Sequence, residues 1–460
     1  MANGLVPPGG GAIPVSPVTQ AELGGRLQAL GAATERWAEA TRFAAEPGKF
    51  LLLPDEDGRL GRVLAGMAEG EYLWALGSCP DALPEGTYGL EGSPGRAAET
   101  ALALGWSLGA YAFTRYKRRE RGPAQLQWPK NADRGRVEAV SSGMALARDL
   151  INTPADDLGP AELAGAAEAL AAEMGAHFKV IVGDGLLAAN YPTIHAVGRA
   201  STRAPRLIDV TWGDEAAPKL TLVGKGVCFD SGGLDLKAAS GMLNMKKDMG
   251  GAATLMGLAR AVMALKLPVR LRLLVPAVEN SVSGNAFHPR DIIRTRKGIT
   301  VEVGNTDAEG RLILCDALAE AARERPALIL DMATLTGAAR VALGPELPAL
   351  FSNDDALATD LLAAGAAERD PLWRLPLWAP YRELLKSPIA DINNVSEGSF
   401  AGAITASLYL AEFVPADIPW AHIDTFAWNA KTRPGRPEGG EALALRALLA
   451  LVERRFGGPG

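Results

Sequence analysis

The chain is poor in the residues that most metal and redox chemistry uses. Among 460 residues there are three cysteines and four histidines. Cys79, Cys228 and Cys315 are unclustered and lie in apolar surroundings, which excludes a disulfide framework or zinc knuckle and reads as reduced core thiols. His177, His195, His288 and His422 are scattered without metal-ligand spacing and read as core or surface residues. Positive charge is not in excess: 47 Lys and Arg stand against 53 Asp and Glu, a formal net charge of −6. That balance gives no general bias towards nucleic acid. No uninterrupted apolar run approaches the ~20 residues of a membrane helix. Residues 1–19 have neither the charged region nor the apolar stretch of a secretory signal. A cytoplasmic protein, unattached to a membrane, is expected.

A chain of this length is too long for one ordinary core, so more than one domain is expected. Residues 1–20, rich in Pro and Gly, read as a flexible tail. Residues 21–130 read as a small α/β domain, with strands at 50–54 and 72–77 and a helix at 97–116. A basic, breaker-rich segment follows at 115–136 and is expected to hold the boundary. Its Lys117-Arg118-Arg119 run could meet phosphate, but reads as solvated linker. Residues 131–460 form the larger unit. Helical periodicity at 137–151 stops before Pro154, and Pro160 suits the first turn of a new helix. Strand-like runs then stand at 178–182, 207–212, 220–224, 269–276, 299–303 and 327–332. Helices are expected at 251–265, 309–322, 356–367 and 401–413. Continuous apolar strands alternating with helices predict an α/β fold whose mixed, mostly parallel sheet is covered by helices on both faces.

Charge gathers where such a sheet would present its ligands, at the carboxyl ends of the strands. Lys225 and Asp230 follow the 220–224 strand, and Asp307 and Glu309 follow the 299–303 strand just before a helix. Taken alone, Asp307 or Thr306 fits a helix cap equally well, with Glu309 complementing the dipole. Asp248, ahead of Gly250-Gly251, fits a cap too. Together, however, Asp230, Asp248, Asp307 and Glu309 come from turns at one predicted edge. Four anions packed there would repel one another strongly, and two divalent cations resolve the conflict. An oxygen-rich donor set without thiolate or imidazole points to Zn²⁺ or Mn²⁺. A nucleophile elbow is excluded, because Asp230-Ser231-Gly232 lacks the glycine two residues before the serine. Gly224-Lys225-Gly226 has the spacing of neither a phosphate loop nor a dinucleotide fingerprint.

These segments resemble a known family. Lys225-Gly226-Val227-Cys228-Phe229-Asp230-Ser231-Gly232-Gly233, Lys237, Lys247-Asp248-Met249-Gly250-Gly251 and Asn305-Thr306-Asp307-Ala308-Glu309-Gly310-Arg311-Leu312 are similar to the motifs of the leucyl aminopeptidases. Those are di-metal cytosolic exopeptidases. The resemblance runs from about Arg148 to Asp424; before it, only size and α/β character match. It implies that Lys225, Asp230, Asp248, Asp307 and Glu309 hold two divalent ions per subunit, with Asp230 and Glu309 bridging and Lys225 donating as a neutral amine. It also implies that Lys237 and Arg311 are the catalytic pair, with bicarbonate at Arg311. Met245, Asn305, Thr334, Leu335 and Gly337 would form the substrate pocket, an apolar one favouring leucine-like side chains. The implied reaction is hydrolysis of the first residue from peptides with a free N-terminus by a two-metal-activated water, in a homohexamer. Ala238 and Leu243-Asn244 depart from the family's usual residues without removing a ligand.

Three other readings compete. A DNA-binding regulatory role in addition to catalysis would rest on the basic residues 115–121 alone, so nucleic acid is not the expected partner. A structural protein with a dead site would require a lost ligand, and all five residues are present. A two-metal amidase is the nearest enzymatic alternative.

Overall fold

The continuous apolar runs of the C-terminal part assemble into a nine-stranded sheet. Its order is Trp373–Arg374, Ala349–Ser352, Trp420–Asp424, Leu328–Ala333, Lys219–Gly224, Arg270–Asn280, Arg206–Trp212, His177–Val182, with Gly226–Asp230 pairing onto the end of Arg270–Asn280. The strands from Trp420–Asp424 to Arg270–Asn280 run parallel to their neighbours. Antiparallel pairs lie on both flanks, so the sheet is mixed, with parallel pairing through its middle.

Leu222 and Val223 are both fully buried. Successive residues of a strand point to opposite faces, so both faces are covered. On one face Val223, Leu274 and Ile329 share a core with residues of the Glu309–Arg323 helix. The Gly250–Ala264 helix also packs on the Lys219–Gly224 and Leu328–Ala333 strands. Its start is tight: a Cβ on Gly251 would lie 2.0 Å from the Met332 carbonyl oxygen, so only glycine fits.

This computed structural model describes residues 4–457, and the chain divides into two compact units. The larger comprises Leu146–Trp428 and the residues from Gly439 onward. The other comprises the residues up to Ala145 together with Asn429–Glu438. The division thus falls inside the Arg134–Asn152 helix, later than the boundary expected at 130/131.

The smaller unit holds a six-stranded sheet in the order Leu5–Val6, Gln125–Gln127, Thr87–Leu90, Ile13–Val18, Leu60–Gly66, Phe50–Pro54. Two expectations need correction here. Much of the segment read as a flexible tail is ordered, since Ile13–Val18 pairs with strands on both sides, and Val15 and Val18 are buried. Met1 to Asn3 lie outside the described residues. Residues 72–77, read as a strand, instead hold the Tyr72–Ala75 helix, packed on Arg96–Gly109. A Cβ on Gly105 would fall 1.7 Å from the Leu73 carbonyl oxygen, so the two helices meet backbone to backbone. In the larger unit, Thr300–Glu302 stands outside the main sheet, in a three-stranded sheet with Ile292–Arg294 and Ile392–Asn393.

A candidate metal centre at the carboxyl edge of the sheet

Each charged group of the site follows the end of a strand or opens a helix. Lys225 leaves the Lys219–Gly224 strand and Asp230 ends the Gly226–Asp230 strand. Asp248 lies between the Met245–Lys247 turn and the Gly250–Ala264 helix. Asp307 and Glu309 stand at the head of the Glu309–Arg323 helix, where the dipole favours negative charge.

The side chains converge. The Lys225 ammonium lies 2.7 Å from Asp248 Oδ2 and 2.9 Å from Glu309 Oε1, and donates to the Thr334 carbonyl at 2.9 Å. The Lys237 ammonium lies 2.8 Å from Asp230 Oδ2 and also pairs with Asp307. One oxygen each from Asp230, Asp307 and Glu309 fall within 4.8 Å of one another. Asp248 stands outside that trio and is tied to it through Lys225. Gly310 is required by this packing, because a Cβ there would sit 2.6 Å from Lys225 Cε.

Electrostatically the carboxylates are under stress. Burial, then repulsion from Asp230, pushes Asp307 up to about 6 and Glu309 well above the carboxylate range. Burial also raises Asp248. Burial works against the Lys225 and Lys237 ammonium groups, but the adjacent carboxylates outweigh it and hold both pKa values above the ordinary lysine range. A dication on the same carboxylates reverses that sign for a lysine that donates to it.

Asp248 Oδ2, Asp307 Oδ1 and Glu309 Oε1 are buried and have no donor against them other than the Lys225 and Lys237 ammonium groups. Their other oxygens and neighbours are anchored: Thr334 Oγ1 donates to Asp248 Oδ1 at 2.8 Å, and Asn280 Nδ2 and the Gly232 N–H each donate to Asp230 Oδ1 at 2.9 Å. Buried carboxylates crowded against one another, with only lysine ammonium groups opposite them, are what a divalent cation needs, and these residues fit such an ion.

The centre opens on a cavity of about 550 Å³. Lys225, Asp230, Lys237, Met245, Asp248, Asp307, Glu309, Thr334, Leu335 and Gly337 line it. Arg311 and Asn305 do not. Arg311 is buried behind the cluster and donates from Nη1 to the Asn394 carbonyl at 2.6 Å. Asn305 shapes the turn, its Oδ1 accepting from the Asp307 N–H at 2.7 Å.

Residues 145–449 match the catalytic domain of the cytosol aminopeptidase family, and residues 13–129 match the M17 aminopeptidase N-terminal domain. The chain belongs to the M17 cytosol aminopeptidase family. It is 45% identical over 381 residues to a probable cytosol aminopeptidase of Syntrophotalea carbinolica, covering 79% of this chain and 76% of that one. Peptidase B of Serratia proteamaculans is 43% identical over 361 residues, 76% of this chain and 84% of the relative. The crystal structure of the Coxiella burnetii cytosol aminopeptidase superposes with a TM-score of 0.95 at 49% identity, over 98% and 99% of the two chains. The bottromycin maturation enzyme BotP, solved in complex with Mn, gives 0.87 at 34% identity, over 96% and 99%. As a member of this metal-dependent family the chain is an aminopeptidase, a hydrolase of peptide bonds.

Sequence reasoning missed the residues that hold the site from a distance. Asn394 accepts the Gly304 N–H at 2.7 Å and donates to the Asn305 carbonyl at 2.8 Å, fixing the turn before Asp307. Asn280 is the last residue of its strand, which was its one available signal. Lys247, which stands in the Lys247–Gly251 motif without an assigned role, also lines the cavity, as do Arg340 and Phe426, which nothing in their local sequence marks.

Proposed function

We propose that this aminopeptidase removes leucine-like residues from peptides with a free N-terminus, with Lys225, Asp230, Asp248, Asp307 and Glu309 holding two divalent ions, Zn²⁺ or Mn²⁺. The observation that carries this is the cluster of buried carboxylates lining the cavity, three of whose oxygens have no donor besides the Lys225 and Lys237 ammonium groups. When bound, the ions supply electrophilic catalysis and a nucleophile at neutral pH.

The chain's own residues do the rest. The carboxylates confer on that end of the cavity the negative charge that favours a free α-amine. Lys237, half in the cavity wall and held as an ammonium by Asp230 and Asp307, offers N–H donors where charge develops on the carbonyl oxygen. Met245, Thr334, Leu335 and Gly337 shape the wall beside it. Arg311 stays protonated and cannot act as a base. Its Nε is buried without an acceptor, which supports the expected bicarbonate next to it as the proton carrier.

Three free buried cysteines are in keeping with a cytoplasmic setting, and among the described residues no helix is long and apolar enough to cross a membrane. Exposed Trp373, Trp378, Ile389 and Phe400 on the catalytic unit support assembly into the expected homohexamer. The deciding experiment measures hydrolysis of Leu-p-nitroanilide and of its N-acetylated counterpart, with and without chelator. Metal-dependent cleavage of the free amine alone is expected; equal cleavage of the blocked substrate would replace this reading with a two-metal amidase.

A further inference from the structure

Thr306 has the residue type of a helix cap, yet the Glu309–Arg323 helix starts after Ala308 with no side-chain cap. Thr306 is fully buried, and its polar groups turn instead to a loop 71 residues earlier. Its N–H donates to Asp235 Oδ2 at 2.7 Å, and its Oγ1 accepts from the Asp235 N–H at 2.8 Å. The hydroxyl donates to the Gly232 carbonyl at 2.7 Å, with Asp235 Oδ2 a second acceptor at 3.2 Å. Asn280 Nδ2 donates to the Thr306 carbonyl at 3.1 Å. Asp235 and Thr306 thus form a two-way clasp, in which each side chain accepts from the other's backbone. An exposed aspartate is ordinarily a solvated charge; this one is spent on a neighbouring loop.

The clasp joins the two segments that bear on Lys237. Between Asp230 and Lys237 the chain passes through Gly232 and Gly233, at φ of +90° and +66°. A Cβ on Gly232 would lie 2.5 Å from the Asp235 carbonyl oxygen, and one on Gly233 3.0 Å from Thr306 Oγ1, so only glycine closes this turn. Leu234 and Leu236 beyond it are exposed and give the loop no apolar anchor. Among the described residues, three sets of polar ties hold residues 234–237. One is the clasp, and another is the Lys237 N–H donating to the Ser231 carbonyl at 2.9 Å. The third is the Lys237 ammonium's own pairing with Asp230 and Asp307. Those two carboxylates are the ones assigned to the cations, so the loaded enzyme needs another means of fixing Lys237. Asp307 does not depend on the clasp in the same way. Its N–H donates to Asn305 Oδ1, and Asn394 braces the preceding turn.

We propose that Asp235 is a positioning residue for Lys237. Its clasp on Thr306 sets the backbone from which the Lys237 ammonium reaches the substrate carbonyl oxygen. This rests on the aminopeptidase reading above and on the part Lys237 plays in it. A donor to a developing oxyanion acts only when it is already aimed, and a misplacement of about 1 Å can cost ~10²-fold in rate. Such a loss falls on kcat and spares KM, because the interaction forms in the transition state and not on substrate binding.

The experiment measures kcat and KM for Leu-p-nitroanilide, bound metal and the thermal midpoint on the same preparations. Asp235→Ala is expected to lower kcat about tenfold or more, with KM, metal content and thermal midpoint close to the parent's. Asp235→Asn, whose Oδ1 can still accept the Thr306 N–H, should recover most of that loss. Thr306→Val removes the other half of the clasp and should likewise lower kcat without losing metal. In a Lys237→Ala background, Asp235→Ala should have no further effect, since the group it acts through is gone. Parental kcat in Asp235→Ala overturns the inference, as does a rise in KM alone. Loss of metal in proportion to kcat also overturns it, since Asp235 would then serve the ligands. So do failure of Asp235→Asn to recover activity and a loss that adds in full to that of Lys237→Ala. If Lys237→Ala keeps parental kcat with its metal, the role assigned to Lys237 has failed first, and the inference falls with it.

Discussion

Glu99 in the smaller unit and Glu309 in the catalytic unit are each 1% exposed, and each lies in the first turn of a helix. Their surroundings set them apart. Burial works against the Glu99 charge, but Ser93 Oγ at 2.6 Å, the Asn131 N–H at 2.6 Å and Asn131 Nδ2 at 3.0 Å all donate to it. Its pKa is lowered as a result. Burial first, and then repulsion from Asp230 and Asp248, raise the Glu309 pKa further than the Lys225 ammonium at Oε1 lowers it. A buried carboxylate is therefore no sign of function by itself. A buried carboxylate crowded by other carboxylates, with only a shared lysine ammonium against it, is, because the fold keeps it at a cost that a bound cation offsets.

The most severe way to break the comparison is to remove the cation or its holders. Exhaustive chelation, Glu309→Ala and Asp230→Ala should each take Leu-p-nitroanilide hydrolysis to background. Asp156→Ala, an exposed carboxylate outside the cavity, should stay near the parental rate. Comparable losses in all three folded variants, or full activity after chelation, would sink the assignment.

A second test separates the two lysines that share these carboxylates. Lys225→Ala should lose bound metal, since Lys225 is enclosed by Asp248, Glu309 and the Thr334 carbonyl. Lys237→Ala, nearer the cavity mouth, should keep its metal and lose about 10²–10³ in kcat, as loss of one oxyanion donor does. Metal content by plasma emission and kcat must come from the same preparations. Equal metal loss in both variants, or near-parental kcat in metal-replete Lys237→Ala, contradicts the division of labour.

What was legible in the sequence follows the same contrast. Central strands such as Lys219–Gly224 and Leu328–Ala333 are buried on both faces, so their composition alone reveals them. The carboxylates were legible because they sit in turns between such strands and helices, among glycines the packing requires. The Ile13–Val18 strand was hidden by Pro14 and Pro17, whose local preference loses to pairing on both sides. The Tyr72–Ala75 helix was hidden because its partner is the bare backbone at Gly105, far along the chain. Asn394 was illegible for a similar reason: it reaches Gly304 and Arg311 across more than eighty residues, and no short motif records such a contact.

The complementary test leaves the site intact. Glu99→Gln keeps the shape but can no longer accept from Ser93 and both Asn131 donors. It should cost about 1–3 kcal/mol of stability, the penalty of leaving a buried partner unsatisfied, with kcat/KM for Leu-p-nitroanilide unchanged. Loss of activity in the folded variant would mean that this carboxylate is not purely structural.

The smallest expected effect concerns a buried pair within the catalytic unit that the comparison places on the Glu99 side. His422 Nδ1 lies 2.5 Å from Asp331 Oδ1, and Trp420 Nε1 donates to the other oxygen of Asp331 at 2.5 Å. Burial works against the imidazolium, but the Asp331 carboxylate outweighs it, and the His422 pKa is raised. A raised folded-state pKa gives stability that is fully present below the unfolded value, about 6.5. As pH rises past that value the unfolded chain releases its proton first, and the contribution is lost as pH climbs through the folded pKa. The thermal midpoint of the catalytic unit should therefore decline from about pH 6.5 upward more steeply in the parent than in His422→Gln, which cannot titrate there. Glutamine can still donate to Asp331, so the variant separates loss of the charge from loss of the hydrogen bond. Parallel curves for parent and variant would show that the pair is neutral in the folded protein across this range.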